Sequence, residues 1–251
     1  MGPLQYATLV VAGTVAGTMN TVVGAGSLVT FPVLLAFGLP PVTANVTNNV
    51  GIFPGSISGA IAYRRELSRH RATTGRLAVV SAASGAIGAL LLLALPTAAF
   101  RGIVPVMIAT SCVLVLFQPR LNARFGQTEP AEGSPRSPAL LYAGVLVTGV
   151  YGGYFGAAQG VLLLALLGVF GNRTLQTSNA MKNALAATVN TVAAVVFVLL
   201  AHVEWAAAGC VAVGAVAGGQ FGAAIARRLP DTVFKVAIVG FGLAAIVYLV
   251  H

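Results

Sequence analysis

Lys182 has the strongest claim to chemistry in this chain, because it is a charged side chain set inside a long apolar run, TLQTSNAMKNALAATVN. At 1.5 Å per helical residue it sits roughly 10 Å from the start of that run. Burying a lysine at such a depth costs about 2.5–3.5 kcal/mol on insertion scales. Two readings answer that cost: the stem can snorkel to the headgroups, or the ammonium can neutralise a bound anion. Asn179 and Asn183, four residues apart on one helical face, would then add amide donors.

The remaining polar residues of the apolar runs fall into matching groups. One holds Asn20, Ser27, Asn45, Thr47, Asn48, Asn49 and Ser56; the other holds Gln159, Thr177, Ser178, Asn179, Lys182, Asn183, Thr188 and Asn190. Each needs a partner in hydrocarbon, and packing between helices can supply it. The symmetric grouping favours a shared polar cavity. Glycines interrupt two regions, at Gly24 and Gly26 and again at Gly149, Gly152, Gly153 and Gly156. They permit either close GxxxG-type packing or unwound backbone whose amides must line a cavity. In the second case short helices starting near Ser27 and Ala158 aim their positive ends at the membrane interior, where an anion is favoured. The expected substrate-binding set is Asn20, Gly24, Gly26, Ser27, Asn45, Asn48, Asn49, Gly156, Gln159, Asn179, Lys182 and Asn183.

Catalysis finds little support. The carboxylates Glu66, Glu129, Glu132, Glu204 and Asp231 fall in loops or at span edges, and His70, His202 and His251 are peripheral. No nucleophile has a base beside it at depth. Cys112 and Cys210 stand singly in apolar sequence, as packing thiols do. No catalytic residue, metal or cofactor is expected.

The elements that must position these residues are membrane helices. Hydrophobic residues make up 57% of the 251 and charged residues only 8%, against about 25% charged in soluble domains. Met1 to Tyr63 contains no Lys, Arg, Asp, Glu or His, so no water-facing surface can be built there. The opening MGPLQYATLV lacks a basic n-region and is expected to stay in the fold. Spans are expected at 43–63, 77–95, 99–117, 177–200, 206–226 and 233–250, with a broken or re-entrant helix pair at 4–37 and at 139–170. The net charge of +9 resides mostly in short gaps between apolar runs, which is a topology signal and excludes nucleic acid as the partner.

The chain reads as a duplication. Leu95-Pro96 with Phe100-Arg101 returns as Leu229-Pro230 with Phe234-Lys235, an offset of 134 residues. Gly85 and Gly88 map equally onto Gly219 and Gly222, Asn45 and Asn49 onto Asn179 and Asn183, and Gly24-Ala25 onto Gly156-Ala157 at 132. Residues 1–117 form a first repeat, the polar stretch 118–138 a linker, and 139–251 a second repeat. The basic loop Arg64–Arg76 has no Lys or Arg in its counterpart around His202 and Glu204. By the positive-inside rule the loop and the linker, with Arg227 and Arg228, are cytoplasmic and both termini external. Equivalent loops on opposite sides imply inverted topology. The expected fold is therefore an all-α polytopic membrane protein of two inverted repeats, each a broken pair plus three transmembrane helices, in the cytoplasmic membrane.

The segments GTMNTVVGAGSLVTFPVLLAFGLPPVTANVTNNVG with AYRREL, then GVYGGYFGAAQGVLLLALLG and TLQTSNAMKNALAATVN, resemble the TauE/SafE family of sulfite exporter-like permeases over nearly the whole chain. The resemblance implies export or uptake of sulfite, organosulfonates or similar anions, and it marks Gly24, Gly26, Pro32, Gly38, Asn45, Asn49, Gly156, Asn179, Lys182 and Asn183. In one place the chain departs from the family, with Ala157, Ala158 and Gln159 in GAAQG where members often carry glycine. Export by alternating access is the leading expectation, with the anion and the lipid bilayer as partners. A permease for another small anion such as a carboxylate, or a non-transporting scaffold, stays open, as does the oligomeric state.

Overall fold

A computed structural model describes residues 1–126, 137–171 and 173–226, and near the end of the chain 240, 243, 245, 246 and 249. Ten helices are described: α1 (Pro3–Val22), α2 (Ser27–Ala36), α3 (Pro41–Ala62), α4 (Arg64–Ser68), α5 (Arg71–Ala94), α6 (Thr97–Gly126), α7 (Pro138–Tyr154), α8 (Gln159–Phe170), α9 (Leu175–Leu200) and α10 (Trp205–Ala226). No strand occurs among the described residues. Prolines open α1, α3 and α7 near their first position, where the missing N–H costs nothing. α5, α6 up to Phe117, and α9 are long and apolar enough to cross a bilayer.

Both interrupted regions are pairs of helices, α1 with α2 and α7 with α8. Two boundaries differ from expectation. α5 begins at Arg71 and not at 77, and α6 runs to Gly126 and not to 117. Helix formation needs good formers and no breaker, while span prediction needs apolar residues; arginine serves the first and not the second. Residues 127–136 of the expected linker lie outside the described residues, as do Arg227, Arg228, Asp231 and the Pro230 and Phe234-Lys235 matches. The final expected span, 233–250, is described at five residues only, all helical.

The packing is reciprocal between the halves. α1 lies along α10, and α7 along α5; α3 and α9 pack on each other at the centre, α3 also on α10 and α9 also on α5. Small residues allow the close approach. A Cβ on Gly13 or Gly17 would strike the carbonyls of Val211 or Ala215, and one on Gly88 or Gly153 those of Val150 or Gly85. Since lipid is as apolar as leucine, backbone contact of this kind holds membrane helices together better than bulk does. At the centre Asn190 of α9 donates to the Ser56 hydroxyl of α3 at 2.9 Å. The two positions are 134 residues apart, the same offset that separates the matching sequence segments.

Candidate functional site

Each interrupted region breaks its helix with a left-handed glycine. After α1 the chain turns at Gly24 (φ +85°), and after α7 at Gly156 (φ +77°), a region open to glycine at little cost. The N–H groups of Val23 and Gly24 both fall on the Met19 carbonyl, and those of Phe155 and Gly156 on Tyr151. New helices then begin at Ser27 and Gln159, as the glycine pattern implied. Ala158 caps α8 at φ +55°. The residue at which the chain departs from the glycine-rich pattern thus still carries the left-handed backbone.

The two breaks meet. The Gly160 N–H donates to the Gly24 carbonyl at 3.1 Å, and a Cβ on either glycine would collide with the backbone of the other. Phe31 of α2 stacks edge-on against Phe155 of the second break, centroids 5.2 Å apart, which seals the apolar side of the junction. Among the described residues, no backbone acceptor is found for the N–H groups of Ala25, Gly26, Ser27, Ala157 or Ala158. These amides are the orphan donors of two helix N-termini brought to one place.

Side chains from the opposite half hold each broken end. Lys182, fully buried, gives its Nζ to the Thr21 carbonyl at 3.0 Å and to that of Val22 at 3.4 Å. Asn183 Nδ2 reaches the same Thr21 carbonyl at 3.2 Å. The lysine therefore does not snorkel; it lies at the carbonyl end of α1, where a cation is favoured. At the other break, Asn45 of α3 donates to the Tyr154 carbonyl at the end of α7, at 2.9 Å. No carboxylate is buried among the described residues, so Lys182 has no counter-charge from the protein there.

The other expected residues divide between this junction and more distant contacts. Asn20 donates to Ser56 at 2.8 Å, joining the Ser56–Asn190 contact, and Asn48 accepts from Thr30 of α2. Asn179 donates to the Tyr63 hydroxyl at 3.0 Å, toward the start of α9 and away from the breaks. Ser27 is half-buried at the head of α2. Gly26 packs under Ala16 and Asn20. Gln159 is buried with its Nε2 unpartnered, its amide lodged where a side chain on Gly152 would sit. Asn49 also keeps a buried Oδ1 without a partner.

Sequence reasoning missed Gly160, Ser111 and Tyr151. The hydroxyls of Ser111, on α6, and Tyr151 both meet the Ala157 carbonyl, the former at 2.9 Å, and so steady the second break. A serine in an apolar helix commonly bonds its own preceding turn, as Ser111 also does at 2.7 Å to Met107, so nothing local announced the longer contact. For Gly160 the local offset of 132 residues, which pairs Gly24 with Gly156, points to Leu28 and not to Gly24.

Comparison with known proteins gives the family. The family model described as sulfite exporter TauE/SafE matches residues 9–249. A probable membrane transporter protein of Haemophilus influenzae is 26% identical over 245 residues, covering 95% of this chain and 92% of its own. The probable membrane transporter protein YfcA of Escherichia coli K12 is 29% identical over 223 residues, covering 88% and 81%. No solved structure gives a significant match. With the helical fold and the match over nearly its whole length, the chain belongs to the sulfite exporter TauE/SafE family and is a multi-pass membrane transporter.

Proposed function

We propose that the chain is a permease for small sulfur-containing anions such as sulfite or organosulfonates, working by alternating access about the junction of the two breaks. The observation that carries this reading is the meeting of two helix N-termini, with five amides lacking backbone acceptors, beside a buried lysine that has no buried carboxylate near it among the described residues. Positive potential without a protein counter-charge suits a small anion. The twelve expected residues form the binding set, in which Asn179 stands at one end of the route and the breaks at its centre.

The two halves, 1–117 and 139–251, act as oppositely inserted repeats joined by the linker 118–138. Reciprocal helix packing and the Ser56–Asn190 contact support that reading, as does the charge asymmetry of the loops. On it, the Arg64–Arg76 loop and the linker face the cytoplasm of a cell whose cytoplasmic membrane holds the protein, and both termini face outward. Anion export then runs down the electrical gradient by about 2.3 kcal/mol per charge per 100 mV and needs no coupling ion. The anion displaces the Thr21 and Val22 carbonyls from Lys182, loosening the end of α1 from the opposite half.

Sulfite flux into proteoliposomes tests this, with Lys182→Ala as the comparison. Saturable flux that collapses in the variant supports the reading. Equal flux in both proteins would remove Lys182 from the route, and no flux of any sulfur oxyanion would remove the substrate class.

A further inference from the structure

The strongest feature outside the junction is a cavity of about 380 Å³ between α4 and the start of α9, lined by Arg65, Glu66, Arg69, His70, Thr174, Gln176 and Thr177. Its size lies within the range of small-ligand sites. Two guanidiniums and one carboxylate line it, and among the described residues none of the three takes part in an ion pair. His70 is engaged with Arg173 at 2.6 Å, which adds a further cation behind the wall. Two exposed arginines lining one recess give it a positive potential that attracts negatively charged groups.

What lies beneath the cavity gives it a direction. Thr174, Ser178 and Lys182 succeed one another at intervals of four residues and so share one stripe of α9. Thr174 lines the cavity, and Lys182 lies roughly 12 Å further along the axis at 1.5 Å per residue. Between them Ser178, 1% exposed, has a hydroxyl with no hydrogen-bond partner among the described residues. The neighbouring Asn179 leaves its Oδ1 unpartnered as well. A buried serine that finds no partner within protein is unusual, and here it stands midway between a basic recess and a buried lysine.

We propose that this recess is a second anion site, a loading vestibule that gathers a small oxyanion with Arg65 and Arg69 and passes it along the Thr174–Ser178 stripe to Lys182. The proposal rests on the permease reading for its direction of travel, but the site itself requires only a negatively charged oxygen group. Such a group is offered by a free oxyanion or by an anionic lipid headgroup, and the free ion is the visitor that the stripe leading inward favours. Glu66 offsets one of the two arginine charges, so the recess keeps a modest net positive charge. Arg65 and Arg69 raise the local concentration and the rate of capture without entering the central site, an effect on the order of tenfold and sensitive to salt.

The test uses full-length protein in nanodiscs, with Cys112→Ser and Cys210→Ser removing the native thiols and an environment-sensitive fluorophore on Gln176→Cys at the rim. Titration with sodium sulfate in zwitterionic lipid is expected to give a saturable signal. That signal should persist in Lys182→Ala, and its midpoint should rise about tenfold in Arg65→Gln/Arg69→Gln. In sulfite flux assays the same double variant should raise the half-saturating concentration about tenfold while leaving the maximal rate unchanged. A signal that responds to anionic lipid and not to sulfate would assign the recess to headgroups and overturn the loading role. No response to either, or a midpoint indifferent to both arginines, would overturn the site. Loss of flux in Lys182→Ala with sulfate binding intact separates a failed vestibule from a failed central site.

Discussion

The two helix breaks pose one backbone problem and meet it with different side chains. At the first, the end of α1 is held by a cation, Lys182, seconded by Asn183. At the second, the end of α7 is held by a neutral amide, Asn45, and the turn beyond it by Ser111 and Tyr151. The first break has no hydroxyl pair of this kind among the described residues. Lys182 corresponds by the repeat offset to Asn48, which bonds Thr30 within its own half. The two breaks therefore share one backbone solution, but only the first is held by a charged side chain. On the permease reading proposed above, one positive side chain at the junction suits a single anion, and the break that it holds is the one an anion would loosen.

The largest effect is expected where the breaks touch. Gly24→Ala combines a left-handed φ with a collision against the Gly160 backbone, and should cost more than about 3 kcal/mol. Thermal denaturation in detergent should show little folded protein. Gly38→Ala serves as the control, for its φ is +87° but nothing lies within 4 Å; a loss of about 1 kcal/mol is expected from φ alone. Equal losses in the two variants would mean that the breaks do not meet.

Next comes the charge itself. Lys182→Met keeps length and removes the cation, so folding should survive while sulfite flux falls about a hundredfold, the equivalent of one charge-assisted hydrogen bond of about 2.7 kcal/mol. If Asn48→Lys added to this variant restored flux, the position of the charge between the halves would be immaterial, and the contrast drawn above would fail.

The amide caps follow. Asn45→Ala orphans the buried Tyr154 carbonyl and should cost about 1–3 kcal/mol, whereas Asn183→Ala should cost less, since Lys182 still serves Thr21. Denaturation midpoints of the pair rank the two caps, and the reverse order would mean that the lysine contributes little hold. The smallest effect is a gain. Ala158→Gly relieves the left-handed cap of α8 and should stabilise by about 1 kcal/mol, read as a rise in melting temperature.

Much of this architecture can be read in the chain before any coordinates. Glycines at Gly24 and Gly156 mark the breaks, and Ser27 and the Ala158–Gln159 junction mark the new helices, because a left-handed turn and a helix start both depend on a few neighbouring residues. Lys182 stands out by its type alone. Its partners do not, since the Thr21 and Val22 carbonyls belong to every residue's backbone and lie 160 positions away. Periodicity carries no information about which carbonyl a long side chain will meet. The contact between Gly24 and Gly160 escapes for the same reason, and the repeat pattern misdirects there because the touching residues are not equivalents. The arginines of 64–76 were legible as a topology signal, but the recess they share with α9 arises only when α4 folds back on that helix.

The exchange of partners between halves also bears on how the chain is made. α1 is complete within the first 22 residues, yet the helix it packs along, α10, begins at Trp205. At roughly 5–20 residues per second of synthesis, the glycine-lined flank of α1 waits on the order of ten to forty seconds for its match. Neither half can finish alone, and a ribosome that stops after the first leaves an adhesive helix with nothing to hold.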